Sequence, residues 1–139
     1  MFIDYTGDKL SLKLPDTSIR EVEVFVAILG CSQLTYVEAV ESQKKEDLIS
    51  ACENAFLYYG GTPRAVVPDN LKAAVTKASR YEAILNPEFA AFAEHYGVVV
   101  YPARGYKPRD KALVENAVNL PIRISTQNWK VWSVQILLP

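Results

Sequence analysis

The sequence contains few of the residues that cross-link small secreted proteins or bind structural zinc. Its 139 residues include two cysteines and one histidine. Cys31 and Cys52 fit neither a disulfide framework nor the paired spacing of zinc ligands. The apolar sequence around each cysteine predicts a buried free thiol.

Long apolar runs are also missing. No stretch approaches the roughly 18 to 20 consecutive apolar residues of a membrane span. Asp4 and Asp8 fall where a signal peptide needs an apolar core. We therefore expect a soluble, intracellular protein that has no membrane partner.

Net positive charge is absent too, because 15 Lys and Arg residues face 16 Asp and Glu residues, which gives a formal charge of -1. A DNA-binding domain usually carries a clear basic excess, so this balance argues weakly against one. The basic residues are nevertheless clustered after one acidic residue, Asp69, and before another, Glu115. The two clusters are Lys72, Lys77 and Arg80, and Arg104, Lys107, Arg109 and Lys111. Basic residues around an acidic centre suit a bound phosphodiester.

Apolar residues make up 50% of the chain, enough to bury the core of one domain. Three segments predict strands of an antiparallel meander: residues 3–5, which are apolar except for Asp4, the β-branched run at 21–31, and residues 34–40. The tight connection at residues 30–33 predicts a hairpin between the second and third strands. The loop at residues 15–18 is expected to join the first strand to the second.

After the third strand the apolar period becomes helical, and the spacing predicts a capped amphipathic helix that ends at Gly60. Residues 65–67 and 98–101 predict a fourth and a fifth strand, with a helix at 87–96 between them. A further helix is predicted at 109–119. This order of elements predicts an α/β fold with a mixed five-stranded sheet flanked by helices.

Three acids on separate elements are candidates for one site. Asp4 lies in the first strand, Asp69 follows the fourth, and Glu115 lies on the last helix. An acid inside a short apolar strand is costly to bury unless it is paired or bound to metal, and α/β sheets bind ligands at strand ends. Taken singly, each acid also fits an ordinary role, as a solvated chain end, a helix cap or a surface residue.

Four segments in combination resemble the DDE transposase and retroviral integrase superfamily, and most closely the IstA-like transposases of insertion sequences. They are FIDYTG at 2–7, VPDNLKAAV at 67–75, YEAILNPEFAAFAEHYG at 81–97 and YPARGYKPRDKALVENAV at 101–118. The resemblance covers nearly all of residues 1–119, the expected core. Residues 120–139 are expected to be an atypical or truncated tail. The sequence departs from many integrases at Leu71, where they have glycine, and in a longer spacing between the second and third acids.

The resemblance implies a ribonuclease H-like catalytic core that cleaves transposon ends and transfers them into target DNA. It implies that Asp4, Asp69 and Glu115 are the catalytic acids and hold Mg²⁺ or Mn²⁺, as two ions. The implied partners are DNA, further copies of the chain and an ATPase helper protein, in the nucleoid of a bacterial cell. The residues expected to contact DNA are Asn70, Lys72, Lys107, Arg109 and Lys111.

Two other functions remain open. A catalytically inactive remnant could act only in self-association or partner binding, and the unusual segment after Asn119 favours this alternative. A simple ribonuclease H-like nuclease is the other, although the segment at 108–116 is more similar to transposases. Because Glu115 follows a loop rich in Pro and Gly, we expect it to be less well positioned than the two aspartates. The isolated fragment is therefore expected to show little or no strand transfer.

Overall fold

A computed structural model describes residues 1–69, 72–78 and 83–102. Within these ranges the chain forms eight strands and two helices. The strands are β1 (Phe2–Tyr5), β2 (Leu10–Lys13), β3 (Ile19–Ile28), β4 (Thr35–Val40), β5 (Ala65–Pro68), β6 (Val75–Ala78), β7 (Ala83–Leu85) and β8 (Val99–Val100). The helices are α1 (Lys45–Tyr59) and α2 (Pro87–Tyr96).

The main sheet is mixed, as the sequence predicts. Strand β3 pairs antiparallel with β4 on one side. On its other side it pairs antiparallel with β1 and β2 in succession. Strand β5 is parallel to β1, and β8 is parallel to β5. The predicted hairpin of the second and third strands is confirmed as β3 and β4.

Two details of the predicted sheet are wrong: the main sheet has six strands among the described residues instead of five, and one loop joins different strands. The loop at residues 15–18 joins β2 to β3, because the chain forms an additional strand before it. Strand β2 has only two apolar residues and lies half exposed, so its pairing with β3 rather than its own composition defines it. A separate hairpin of β6 and β7 follows β5. This hairpin was not predicted from the sequence, because its strands have only three or four residues each.

Both predicted helices of the described region are confirmed. Helix α1 ends at Gly60, which has a left-handed φ of 74°, a conformation that favours glycine. Helix α2 begins after Asn86, whose side chain accepts hydrogen bonds from two backbone N–H groups of its first turn. Neither helix is long and apolar enough to span a membrane. The predicted helix at 109–119 lies outside the described residues.

The core lies between the main sheet and the two helices. Buried side chains from β1, β3 and β5 pack there against those of α1 and α2. A smaller cluster lies on the opposite face of the sheet, where Val24, Val26 and Ile28 contact Phe2 and Leu10. The two clusters fix which face each residue of β1 occupies.

Candidate active site

The orientation of Asp4 is fixed by its two neighbours in β1. Ile3 and Tyr5 are buried in the core beneath the helices, at 0% and 6% exposure. Successive side chains of a strand point to opposite faces, so Asp4 lies on the other face, with Phe2. The Tyr5 ring packs edge-on against Phe25, with 5.9 Å between ring centroids. Asp4 is therefore held on a well-anchored strand.

Asp4 occupies an environment that disfavours its negative charge. It is half-buried and pairs across the sheet with Val26. Burial raises the pKa of Asp4 to about 6. The Tyr5 backbone N–H, which donates to Asp4 Oδ1 over 2.8 Å, opposes this rise, and the nearby charge of Asp69 adds to it.

Asp69 lies beside Asp4 at the end of the neighbouring parallel strand. In the pairing of β1 with β5, Ile3 is opposite Pro68, so Asp4 and Asp69 are the next residues on each strand. The Asp69 backbone N–H donates to the Ile3 carbonyl over 3.2 Å. The two acids therefore come from neighbouring strands of one sheet.

The two carboxylates form a donor set that suits a hard divalent cation, because such ions prefer oxygen ligands. Within the described ranges, neither carboxylate forms an ion pair with a basic side chain. No group of three or more potential metal ligands occurs in that part of the chain. The third predicted acid, Glu115, lies outside the described residues. Metal binding by the three acids stays a prediction.

Of the residues expected to contact DNA, the structure describes Lys72, whose side chain is exposed. The others lie outside the described residues: Asn70, Lys107, Arg109 and Lys111. The prediction of two buried thiols is half wrong. Cys52 is buried on α1, whereas Cys31 is exposed at the β3–β4 turn. The turn carries Cys31 away from the core, although its sequence neighbours in β3 are buried.

Two lysines at the start of α1 were not among the residues expected from the sequence to contact DNA. Lys44 and Lys45 border a groove together with Lys72 and Asn86. Two consecutive lysines at the start of a helix are a signal that the sequence contains. Their proximity to Lys72 depends on the fold, since 27 positions separate residues 45 and 72.

Relatives of this chain include bacterial proteins that are named as transposases. A Sinorhizobium fredii protein named “Putative transposase y4bL/y4kJ/y4tB” is 44% identical over 119 residues, which cover 85% of this chain and 23% of that protein. The transposase for insertion sequence element IS21 of Pseudomonas aeruginosa is 34% identical over 98 residues, 70% of this chain and 25% of that protein. The chain thus spans about a quarter of the length of these relatives.

A solved structure agrees in fold. The catalytic core domain of BIV integrase superposes with a TM-score of 0.60 over 96% of this chain and 74% of that chain, at 13% identity. This likeness confirms the ribonuclease H-like arrangement of a mixed sheet with flanking helices. The profile of the family described as “Integrase core domain” matches residues 2–108, which include both aspartates. The chain therefore belongs to the integrase core domain family.

Proposed function

We propose that the chain is the catalytic core of a DNA transposase, which cleaves DNA at transposon ends and transfers the freed strands into target DNA. The observation that carries the proposal is the position of Asp4 and Asp69, side by side at the ends of two parallel strands. The names of the relatives supply the reaction class. Residues 1–119 form the core in this proposal.

In this proposal Asp4, Asp69 and Glu115 hold Mg²⁺ or Mn²⁺, as two ions. When bound, such ions activate an attacking oxygen and stabilise a leaving one during phosphoryl transfer. The Tyr5 N–H orients the Asp4 carboxylate by holding Oδ1. The unfavourable charge of Asp4 beside Asp69 is the electrostatic reason that a cation should bind here.

The substrate and partners follow from the same reaction. DNA is the substrate, contacted by Lys72 and by residues outside the described ranges, which are Asn70, Lys107, Arg109 and Lys111. Strand transfer at two transposon ends calls for at least two copies of the core, so we propose a homo-oligomer. An ATPase helper protein and an intracellular, bacterial setting complete the proposal.

The test is a titration of the chain with Mn²⁺, in which electron paramagnetic resonance measures the concentration of the free ion. Asp4→Asn and Asp69→Asn should each weaken Mn²⁺ binding at least about tenfold, because each removes a charged ligand. Asp8→Asn is the matched control, since Asp8 is exposed in the turn after β1. Metal-dependent nicking of duplex DNA is measured in parallel, and both ligand variants should abolish any nicking by the chain.

Two results would contradict the proposal. Unchanged Mn²⁺ affinity in both ligand variants would show that the two aspartates are not metal ligands. Equal loss of affinity in the Asp8→Asn control would show that only the overall charge matters. If the original chain binds no Mn²⁺, the alternative function, a catalytically inactive remnant, is favoured over a transposase core.

A further inference from the structure

A groove of about 380 Å³ lies where both helices begin. Lys44 and Asn86, the residues that precede α1 and α2, both line it. Lys45 Nζ forms an ion pair with Glu88 over 2.5 Å, which ties the first turns of the two helices together. Lys72 borders the groove from the segment after β5. The groove is thus built from three separate parts of the chain.

The groove lies at the same edge of the sheet as the two aspartates. Strands β1 and β4 are both antiparallel to β3, so their carboxyl ends point to the same edge. Helix α1 begins five residues after β4 ends. Strand β5 is parallel to β1, so Asp69 and Lys72 leave the sheet at that edge as well. Asp4 lies on the face of the sheet opposite the helices, whereas the groove lies on the helix side. The two are therefore separated by this edge of the sheet.

Two lysines of the groove carry charge that the described part of the chain does not compensate. Lys45 is paired with Glu88 and lies 4.0 Å from Glu46. Within the described ranges, Lys44 and Lys72 form no ion pair. Lys44 and Lys72 are both exposed. The groove therefore presents two accessible positive charges, Lys44 and Lys72, and one exposed carboxylate, Glu46, beside Lys45.

We propose that this groove binds the sugar-phosphate backbone of duplex DNA, through Lys44 and Lys72, and guides the duplex across the sheet edge to the aspartates. The inference rests on the proposed function and adds Lys44 to the DNA-binding surface. Phosphate contacts by lysine position a duplex without reading its sequence. A chain of net charge -1 needs such a local basic groove to displace counterions from DNA.

The test measures affinity for a short duplex oligonucleotide by fluorescence anisotropy across a range of NaCl concentrations, with EDTA present. The variants are Lys44→Gln, Lys72→Gln and the double variant. The slope of log affinity against log salt is negative, and each lost phosphate contact should reduce its magnitude by about 1, and the double variant by about 2. The loss should be the same for oligonucleotides of different sequence.

Arg64→Gln is the matched control. It removes one positive charge from an exposed residue directly before β5, at the sheet edge opposite Asp69. Its salt slope should equal that of the original chain. Urea midpoints of all variants check that each is folded.

Three results would overturn the inference: an unchanged slope in the double variant, an equal loss in Arg64→Gln, or no salt-dependent binding of DNA by the original chain. The Mn²⁺ titration is independent of these outcomes, since EDTA removes the metal here. Failure of the groove and failure of the metal site are therefore distinguishable.

Discussion

Replacing Asp4 with asparagine should stabilise the metal-free fold while it removes a proposed metal ligand. The folded chain raises the pKa of Asp4 from 3.8 to about 6, chiefly through burial. At about 1.4 kcal/mol per pKa unit, this difference corresponds to at most about 3 kcal/mol. Asp4 keeps partial contact with solvent, which screens the charge, so we expect about 1–2 kcal/mol. Asparagine keeps an oxygen that can accept from the Tyr5 N–H.

The sign of the effect depends on pH. A carboxyl whose pKa is raised on folding favours the folded state below pH 3.8, and this contribution is lost as pH rises through about 6. Asp4→Asn does not titrate, so its advantage should be full near pH 7.5 and close to zero near pH 4. Added Mn²⁺ should stabilise the original chain more than the variant and narrow the gap at pH 7.5.

Urea unfolding at pH 7.5 and pH 4, with a chelator present, measures the free energy of unfolding of both proteins. Asp8→Asn is the control and should change it by less than about 0.5 kcal/mol, because Asp8 is exposed. The reasoning is refuted if Asp4→Asn is no more stable than the original chain at pH 7.5. It is also refuted if the advantage persists undiminished at pH 4.

Three further predictions concern the fold that supports the site. Tyr59→Phe should lower the free energy of unfolding, measured with urea, by about 1–2 kcal/mol. The Tyr59 hydroxyl shares its hydrogen between two carbonyls of the β3–β4 hairpin, over 2.9 and 3.1 Å. The control Tyr58→Phe, at an exposed ring, should change this free energy little. A thiol reagent should label Cys31 in the native protein and Cys52 only after unfolding, since Cys52 is fully buried and burial raises its thiol pKa; equal labelling rates would contradict this. Asn86→Ala should cost about 1 kcal/mol in the same urea assay, because it removes the cap of α2, and an unchanged midpoint would show that the cap contributes nothing.

The helices could be predicted from sequence because their ends carry local signals. Pro87 in the first turn of α2 and glycines at 60 and 97 just past each helix mark boundaries that depend on neighbouring residues. Strand β1 could be predicted from its apolar pattern, and the burial of its acid pointed to a partner. The identity of that partner as Asp69 came from the family resemblance.

Features that depend on distant pairing were not predictable from local pattern. Strand β2 exists because the first half of the ten-residue β3 extends beyond β1 and needs a partner there. The exposure of Cys31 depends on the direction of the turn rather than on neighbouring residues. The groove forms where the starts of α1 and α2 and the segment after β5 lie together. The hydrophobic periodicity of the sequence does not show which distant segments are neighbours in the fold.

The most direct test of the central claim is a crystal structure of the chain grown with Mn²⁺ and recorded at a wavelength where manganese scatters anomalously. The account predicts an anomalous peak between Asp4 and Asp69, with one oxygen of each carboxylate about 2.1 Å from the ion. Asp69→Asn crystals, grown in the same way, should lose the peak. Manganese bound at other carboxylates, with none at these two, would contradict the account.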